Sequence, residues 1–160
     1  MGALIEMPTA AMPRDVRIAK AMLEYLSEPD MRGEPLRIAF TMYEEDCEVM
    51  IELCKEAGWG TWKKWEHMRS TLSAVASKLA DWRYLRKMDC RHNQEAMENG
   101  EPARWYTYEL NYKYRARFNP SAWPRYKPER TPEEEMAYVL WRVFDYESVA
   151  AVERNKGGVR

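Results

Sequence analysis

Hydrogen-bonding and cationic side chains form two groups in the middle of the chain, and they are its best candidates for specific chemistry. The two groups comprise Lys63, Lys64, Arg69, Ser70, Thr71, Ser73, Ser77 and Lys78, and then Arg91, His92, Asn93 and Gln94. Lysine, arginine and hydroxyl side chains bind phosphate oxygens, whereas Arg, Asn and Gln read base edges through paired hydrogen bonds. The two groups therefore predict non-covalent binding of a phosphate-rich partner.

Residues suited to catalysis are scarce by comparison. The chain has two histidines, no Gly-rich phosphate loop, and no Ser-His-acid or Cys-His group at a recognisable spacing. Cys90 and His92, with Cys47 and Cys54, could supply four zinc ligands. No close cysteine pair is present, however, and buried free thiols account for Cys47 and Cys54 without a metal. We therefore expect a protein that is not an enzyme and that carries no metal or other cofactor.

Charge is separated along the chain although the formal net charge is only -1. Between residues 61 and 92, eight basic residues stand against three acidic ones and leave five positive charges. Between residues 28 and 59, three basic residues stand against nine acidic ones and leave six negative charges. Such a molecule would present one side to a polyanion. Two solvated faces of opposite sign are the simpler alternative.

Length and composition predict one globular domain. A chain of 160 residues buries about two thirds of its unfolded surface. It shows no apolar run approaching 18 residues and no charged-then-apolar leader, so we expect neither a membrane span nor secretion. Three cysteines are an odd number and favour reduced thiols over disulfides. The expected location is the cytoplasm.

The candidate side chains must be positioned by a helix and the hairpin that follows it. The apolar face of the helix, at helical spacing, is made of Leu72, Val75, Ala76 and Leu79. Ser70 or Thr71 can cap the first turn of this helix. Aromatic and branched residues in 82–85 and 105–110 then predict two strands. A long polar loop ending at Asn99 and Gly100 joins them.

Three further elements are predicted upstream. The first is a helix over 13–27, whose apolar stripe is Val16, Ala19, Met22, Leu23 and Leu26. A short strand over 36–40 follows, and a capping box at Thr41 and Glu44 opens a helix over 42–57 with an acidic outer face. Either a long loop follows this helix, or residues 61–67 form a short helix of their own. The tryptophans and lysines of 59–65 fit either base stacking or the filling of a gap between helices.

This order of helices and strands resembles the winged helix-turn-helix superfamily over residues 13–112. The resemblance implies an α+β, mainly α fold with three helices, a small antiparallel sheet and a wing. In that superfamily the second helix of the helix-turn-helix enters the major groove and the wing contacts the flanking backbone. Carried onto this chain, the groove-facing positions are Ser70, Ser73, Ala74 and Ser77, with Thr71 and Lys78 beside them. Base reading would then come from Arg69, Lys78 and the wing residues 91–94, or from DNA shape.

The remaining chain adds a second basic-aromatic stretch and a final helix. Residues 112–118 can continue a strand, and Pro120, Pro124 and Pro128 then predict an extended crossing. Thr131 and Pro132 open an amphipathic helix. The resulting division is an arm at 1–12, a winged-helix domain at 13–112, a crossing and added C-terminal helix at 113–150 packed on the same domain, and a disordered tail at 151–160.

Three functions follow from these patterns. The first is double-stranded DNA binding by a transcriptional regulator that acts as a dimer through its first and last helices. The second is a winged-helix protein-interaction module, an inhibitor or a subunit of a nucleoprotein complex, in which the small-residue helix face and the acidic helix over 42–57 bind another protein. The third is single-stranded nucleic-acid binding by the basic-aromatic segments.

Overall fold

The computed structural model describes residues 12–40, 51, 55, 65–89, 91–101, 105–125 and 127–147. Within these ranges the helices and strands, in chain order, are α1 (Arg14–Leu26), β1 (Arg37–Ala39), α2 (Trp65–Asp81), β2 (Leu85–Asp89), α3 (Arg91–Glu98), β3 (Tyr106–Leu110), α4 (Tyr112–Phe118) and α5 (Pro132–Phe144). The predicted class, α+β and mainly helical with a small antiparallel sheet, is confirmed. None of the helices in these ranges has the length and apolarity needed to cross a bilayer.

The sheet has three antiparallel strands in the order β1-β3-β2. Its register places Ile38 opposite Tyr108 and Leu85 opposite Leu110. These four side chains are buried and join the core, because alternate residues of a strand share one face. The second strand begins three residues later than predicted, since residues 82 and 83 form a turn in which Arg83 has a φ of 65°.

Helix α1 is confirmed with its apolar stripe inward. Its buried residues are Val16, Ile18, Ala19, Met22, Leu23 and Leu26. Proline at position 13 suits the start of a helix because its missing amide would have no helical acceptor there. The helix packs against both α2 and α5. The apolar stripe of α1 is therefore buried within the chain, as is that of α5.

Helix α2 has the predicted apolar face, because Leu72, Val75, Ala76 and Leu79 are all nearly inaccessible. The predicted cap at Ser70 or Thr71 is wrong, since the helix already begins at Trp65. Thr71 lies inside it, and its hydroxyl donates to the His67 carbonyl at 3.1 Å. The predicted helix over 42–57 and the segment 59–64 lie outside the described residues, except that Ile51 and Lys55 are helical.

The connection between β2 and β3 contains a helix where a polar loop was predicted. Helix α3 is eight residues long, and good helix formers such as Gln94, Glu95 and Ala96 make up its body. Gly100 ends the turn after it at a φ of 76°, a left-handed conformation that costs glycine little. The connection therefore contains a folded helix that buries Ala96.

Residues 112–118 form helix α4, and the strand predicted there is wrong. The Asn111 side chain accepts a hydrogen bond from the Lys113 amide at 3.4 Å and thereby caps the helix. The crossing after it is irregular, as the prolines predict, and it is tied to the end of α1. The Trp123 indole donates to the Ser27 carbonyl at 2.7 Å.

Helix α5 begins as the sequence predicts. Thr131 and Glu134 form a capping box, with the Glu134 amide donating to the Thr131 hydroxyl at 3.1 Å and the Thr131 amide donating to the Glu134 carboxylate at 2.9 Å. Val139 and Leu140 are fully buried. The helix packs against α1 and α4, so the C-terminal elements share the core of the earlier ones.

Candidate functional site

The outward face of α2 is a row of short or polar side chains. His67, Ser70, Ala74, Lys78 and Asp81 are exposed at spacings of three and four residues, which places them on one side of the helix. The opposite side carries Leu72 and Leu79 into the core. The small side chains in the middle of the row allow another surface to approach the helix backbone closely.

Four predicted contact residues on α2 lie off this row, and the half-buried Thr71 is one of them. Ser73 is half-buried against the Tyr108 hydroxyl, and burial raises the pKa of that phenol while its contact with Ser73 opposes the rise. Arg69 is half-buried, and its Nε donates to the Phe40 carbonyl at 2.9 Å. Ser77 is also half-buried. Among the α2 positions predicted to face the groove, Ser70, Ala74 and Lys78 are therefore the most accessible.

Lys78 stands at the border between α2 and α5. Its side chain is exposed, and its Nζ lies 5.0 Å from the centre of the Phe144 ring. An ammonium held over an aromatic ring keeps its charge and loses some conformational freedom. Lys78 thus provides a positioned positive charge at the C-terminal part of the outward face.

Among the predicted wing residues whose side chains are described, one is buried and one is exposed. Asn93 is inaccessible to solvent. Its amide nitrogen donates to the Trp105 carbonyl, and its amide oxygen accepts from the Trp105 amide at 3.1 Å. This differs from the predicted base-reading position, because a buried amide must satisfy its hydrogen bonds internally. Gln94 is exposed.

The other predicted DNA contacts and the candidate zinc ligands lie outside the described part of the chain. Lys63, Lys64 and the side chains of Arg91 and His92 lie outside the described residues, as do the three cysteines. Among the residues that are described, no cluster of three or more His, Cys, Asp or Glu side chains is arranged to hold a metal ion.

The sheet carries a charged cluster that was not predicted from the sequence. Glu109 of β3 is only 5% exposed at its side chain and lies within 3.2 Å of Arg37, 3.6 Å of Arg86 and 3.7 Å of Arg115. Arg37 and Arg86 come from the two strands that flank β3, at the same register position. One carboxylate is thus surrounded by three guanidiniums, and the cluster keeps two positive charges. The sequence alone did not indicate this cluster, because Arg37 and Arg86 reach Glu109 only through the register of the strands.

A basic-aromatic cleft lies between α4 and α5. Its cavity is about 640 Å³, and its walls include the four tyrosines Tyr84, Tyr112, Tyr114 and Tyr138. Its basic residues are Lys113, Arg117, Lys127, Arg130 and Arg142. The sequence showed the basic and aromatic residues of this stretch, but their assignment to a strand hid the cleft.

Tyr84 and Arg142 both line this cleft and are hydrogen-bonded to each other. Arg142 donates to the Tyr84 hydroxyl at 3.3 Å. Burial raises the pKa of the Tyr84 phenol, although the hydrogen bond from Arg142 opposes the rise. At neutral pH the pair is therefore a neutral phenol beside a full positive charge.

Comparisons with protein-family models, with curated proteins and with solved structures gave no match to this chain.

Proposed function

We propose that the protein is a winged-helix DNA-binding protein that engages double-stranded DNA through the outward face of α2 and acts as a non-catalytic transcriptional regulator. The observation that carries the proposal is the exposed row of Ser70, Ala74 and Lys78 on a helix whose other side is anchored in the core. A rigid helix with an open, small-residue face can lie in the major groove, which is wide enough to admit it.

The strand order supports this proposal. β1 follows the first helix, α2 directly precedes β2, and the sheet order is β1-β3-β2. In this arrangement the connection between β2 and β3 takes the place of the wing, beside the helix that would enter the groove. Contacts between α2 and β2 join the helix to the sheet.

Charge near the end of α2 also supports the proposal. Lys78, Arg83, Arg86 and Lys87 are exposed, whereas Asp81 and Asp89 are the exposed acidic residues of the same stretch. Lysine and arginine contacts to phosphate supply most of the sequence-independent affinity of DNA-binding proteins. Because Ser70 and Ala74 offer few base-reading groups, we expect sequence preference to come mainly from DNA shape.

Charge reversal at Lys78 tests the proposed function. We expect Lys78→Glu to weaken duplex binding about tenfold and to reduce the slope of log K against log salt by about one, because a phosphate contact is lost and replaced by repulsion. Fluorescence anisotropy with a labelled duplex, over a series of salt concentrations, measures both quantities.

The matched control is Arg32→Glu, which makes the same charge change at an exposed site in the turn between α1 and β1. We expect this control to weaken binding about twofold or less through long-range charge alone. Absence of salt-dependent duplex binding by the parent protein, or equal losses in the two variants, would contradict the proposal.

A further inference from the structure

We propose that the cleft between α4 and α5, with a second cavity on the other side of α4, binds single-stranded nucleic acid. The second cavity is about 610 Å³ and is lined by Arg115, Trp123 and Arg125 among others. Both cavities fall within the range of roughly 300–1,000 Å³ that is typical of ligand sites. Tyr112 and Ala116 line both, so the cavities are neighbours along one surface.

The cations of the first cavity are available to an anion. Within the described ranges, no carboxylate lies within salt-bridge distance of Lys113, Arg117, Lys127 or Arg142. Arg130 is the exception, since it pairs with the buried Glu135 at 3.2 Å. The cleft is also lined by the carboxylates of Glu129 and Glu135, so its five cations stand against two acids. This excess of positive charge would favour a ligand with several negative charges.

Aromatic rings hold several of these cations in place. The Arg117 guanidinium lies 5.0 Å from the centre of the Tyr114 ring, and those of Arg130 and Arg142 lie 4.0 Å and 5.8 Å from that of Tyr138. In the second cavity Arg115 lies 5.3 Å from the Trp123 ring. A guanidinium positioned in this way loses less conformational entropy when it binds a phosphate.

Tyr112 offers a stacking surface between the two cavities. Its side chain is 71% exposed, although a large aromatic residue normally gains free energy by burial. The adjacent Asn111 cap fixes the backbone at this point, because the Asn111 amide nitrogen also donates to the Arg83 carbonyl at 2.9 Å. A base stacked on an aromatic side chain contributes about 1–3 kcal/mol.

Arginine and aromatic side chains recur together on both sides of α4, and this repetition favours a single nucleic-acid strand over other anions. Each cavity combines arginine with an aromatic wall, and Tyr112 belongs to both. Successive nucleotides present the same alternation of phosphate and base. An acidic peptide would satisfy the cations but would leave the exposed ring without a stacking partner. A single nucleotide would occupy one cavity only.

The test is fluorescence anisotropy with labelled oligothymidylate and oligouridylate, using the full chain. We expect Tyr112→Ala to weaken binding about tenfold, within the range of one lost stacking contact, and Arg117→Glu to weaken it by a similar factor. The controls are Met97→Ala, which removes another exposed apolar side chain, and Arg32→Glu. Tyr112 is exposed, so its loss leaves the core intact, and circular dichroism checks this.

Three results would overturn the inference. They are failure of the parent protein to bind either oligonucleotide, unchanged binding by both cleft variants, and binding of thymidine monophosphate as tight as that of the oligonucleotide. A preference between oligouridylate and oligodeoxyuridylate, which differ only in the 2′-hydroxyl, identifies RNA or DNA as the strand. If the protein binds the duplex but not the single-stranded oligonucleotides, only this inference is rejected. If it binds the single-stranded oligonucleotides but not the duplex, only the proposed function is rejected.

Discussion

Replacement of Glu109 by glutamine is expected to lower the free energy of unfolding by about 2 kcal/mol. The substitution keeps the size of the side chain but removes the negative charge that Arg37, Arg86 and Arg115 share. Removal of one partner from a fully buried ion pair costs about 3–5 kcal/mol. Because the Arg37 and Arg86 side chains are 61% and 68% exposed, water screens part of the repulsion and the expected loss is smaller.

Urea denaturation of Glu109→Gln and of a control, Glu98→Gln, measures this loss. Glu98 is exposed at the end of α3, and its substitution should change the stability by less than about 0.5 kcal/mol. The loss of stability caused by Glu109→Gln should be smaller in high salt, because salt screens repulsion among the three remaining guanidiniums. A Glu109→Gln protein as stable as the parent would show that the cluster has no net effect on stability.

Replacement of Asn93 by alanine is expected to destabilise the protein by about 2 kcal/mol. The Asn93 amide makes two hydrogen bonds with the backbone of Trp105, and both cross from α3 to the start of β3. Alanine would leave the part-buried backbone carbonyl and amide of Trp105 without these bonds, and a buried polar group without a partner costs about 1–3 kcal/mol. Helix α3 should therefore loosen before the rest of the protein unfolds.

The neighbouring substitution Gln94→Ala is the matched control, since Gln94 is exposed on the same helix. Its effect should stay below about 0.5 kcal/mol. Amide hydrogen exchange supplies a local readout, because faster exchange in α3 and at residue 105 is expected only for Asn93→Ala. Equal stabilities of the two variants would contradict the assigned role of Asn93.

The long helices could be predicted because local patterns and tertiary packing agree there. In α1 and α5 an apolar stripe and a suitable first residue indicate the same element. The apolar face of α2 was equally clear, but its start was misplaced because Ser70 and Thr71 resemble a cap. Thr71 instead bonds the carbonyl one turn earlier, which a hydroxyl inside a helix also does.

The two short helices were missed because brief segments carry little periodicity. In α4, Tyr112, Tyr114 and Phe118 fall at even spacings that suit a strand, yet positions 114 and 118 are also one helical turn apart. The helix turns Phe118 inward, and Tyr114 packs against Tyr84 with ring centres 4.7 Å apart. In α3 the shortage of apolar residues predicted a loop, although helix propensity favoured the observed element.

The candidate surfaces could be predicted only in part, because burial depends on the packing of distant segments. The outward row on α2 follows from helical geometry, but the half-burial of Ser73 depends on Tyr108 of β3. The cluster at Glu109 needs the pairing of three strands that lie far apart in the chain. The cleft needs α4 to be a helix, because only then do Lys113 and Arg117 lie one turn apart.

The most direct test of duplex binding by α2 is a titration of the isotope-labelled protein with a duplex of about 20 base pairs, or two helical turns, followed by amide chemical shifts. We expect the largest shifts at Ser70, Ala74 and Lys78, with smaller shifts along β2. Shifts confined to residues 112–130, or no shifts at all on α2, would contradict this expectation.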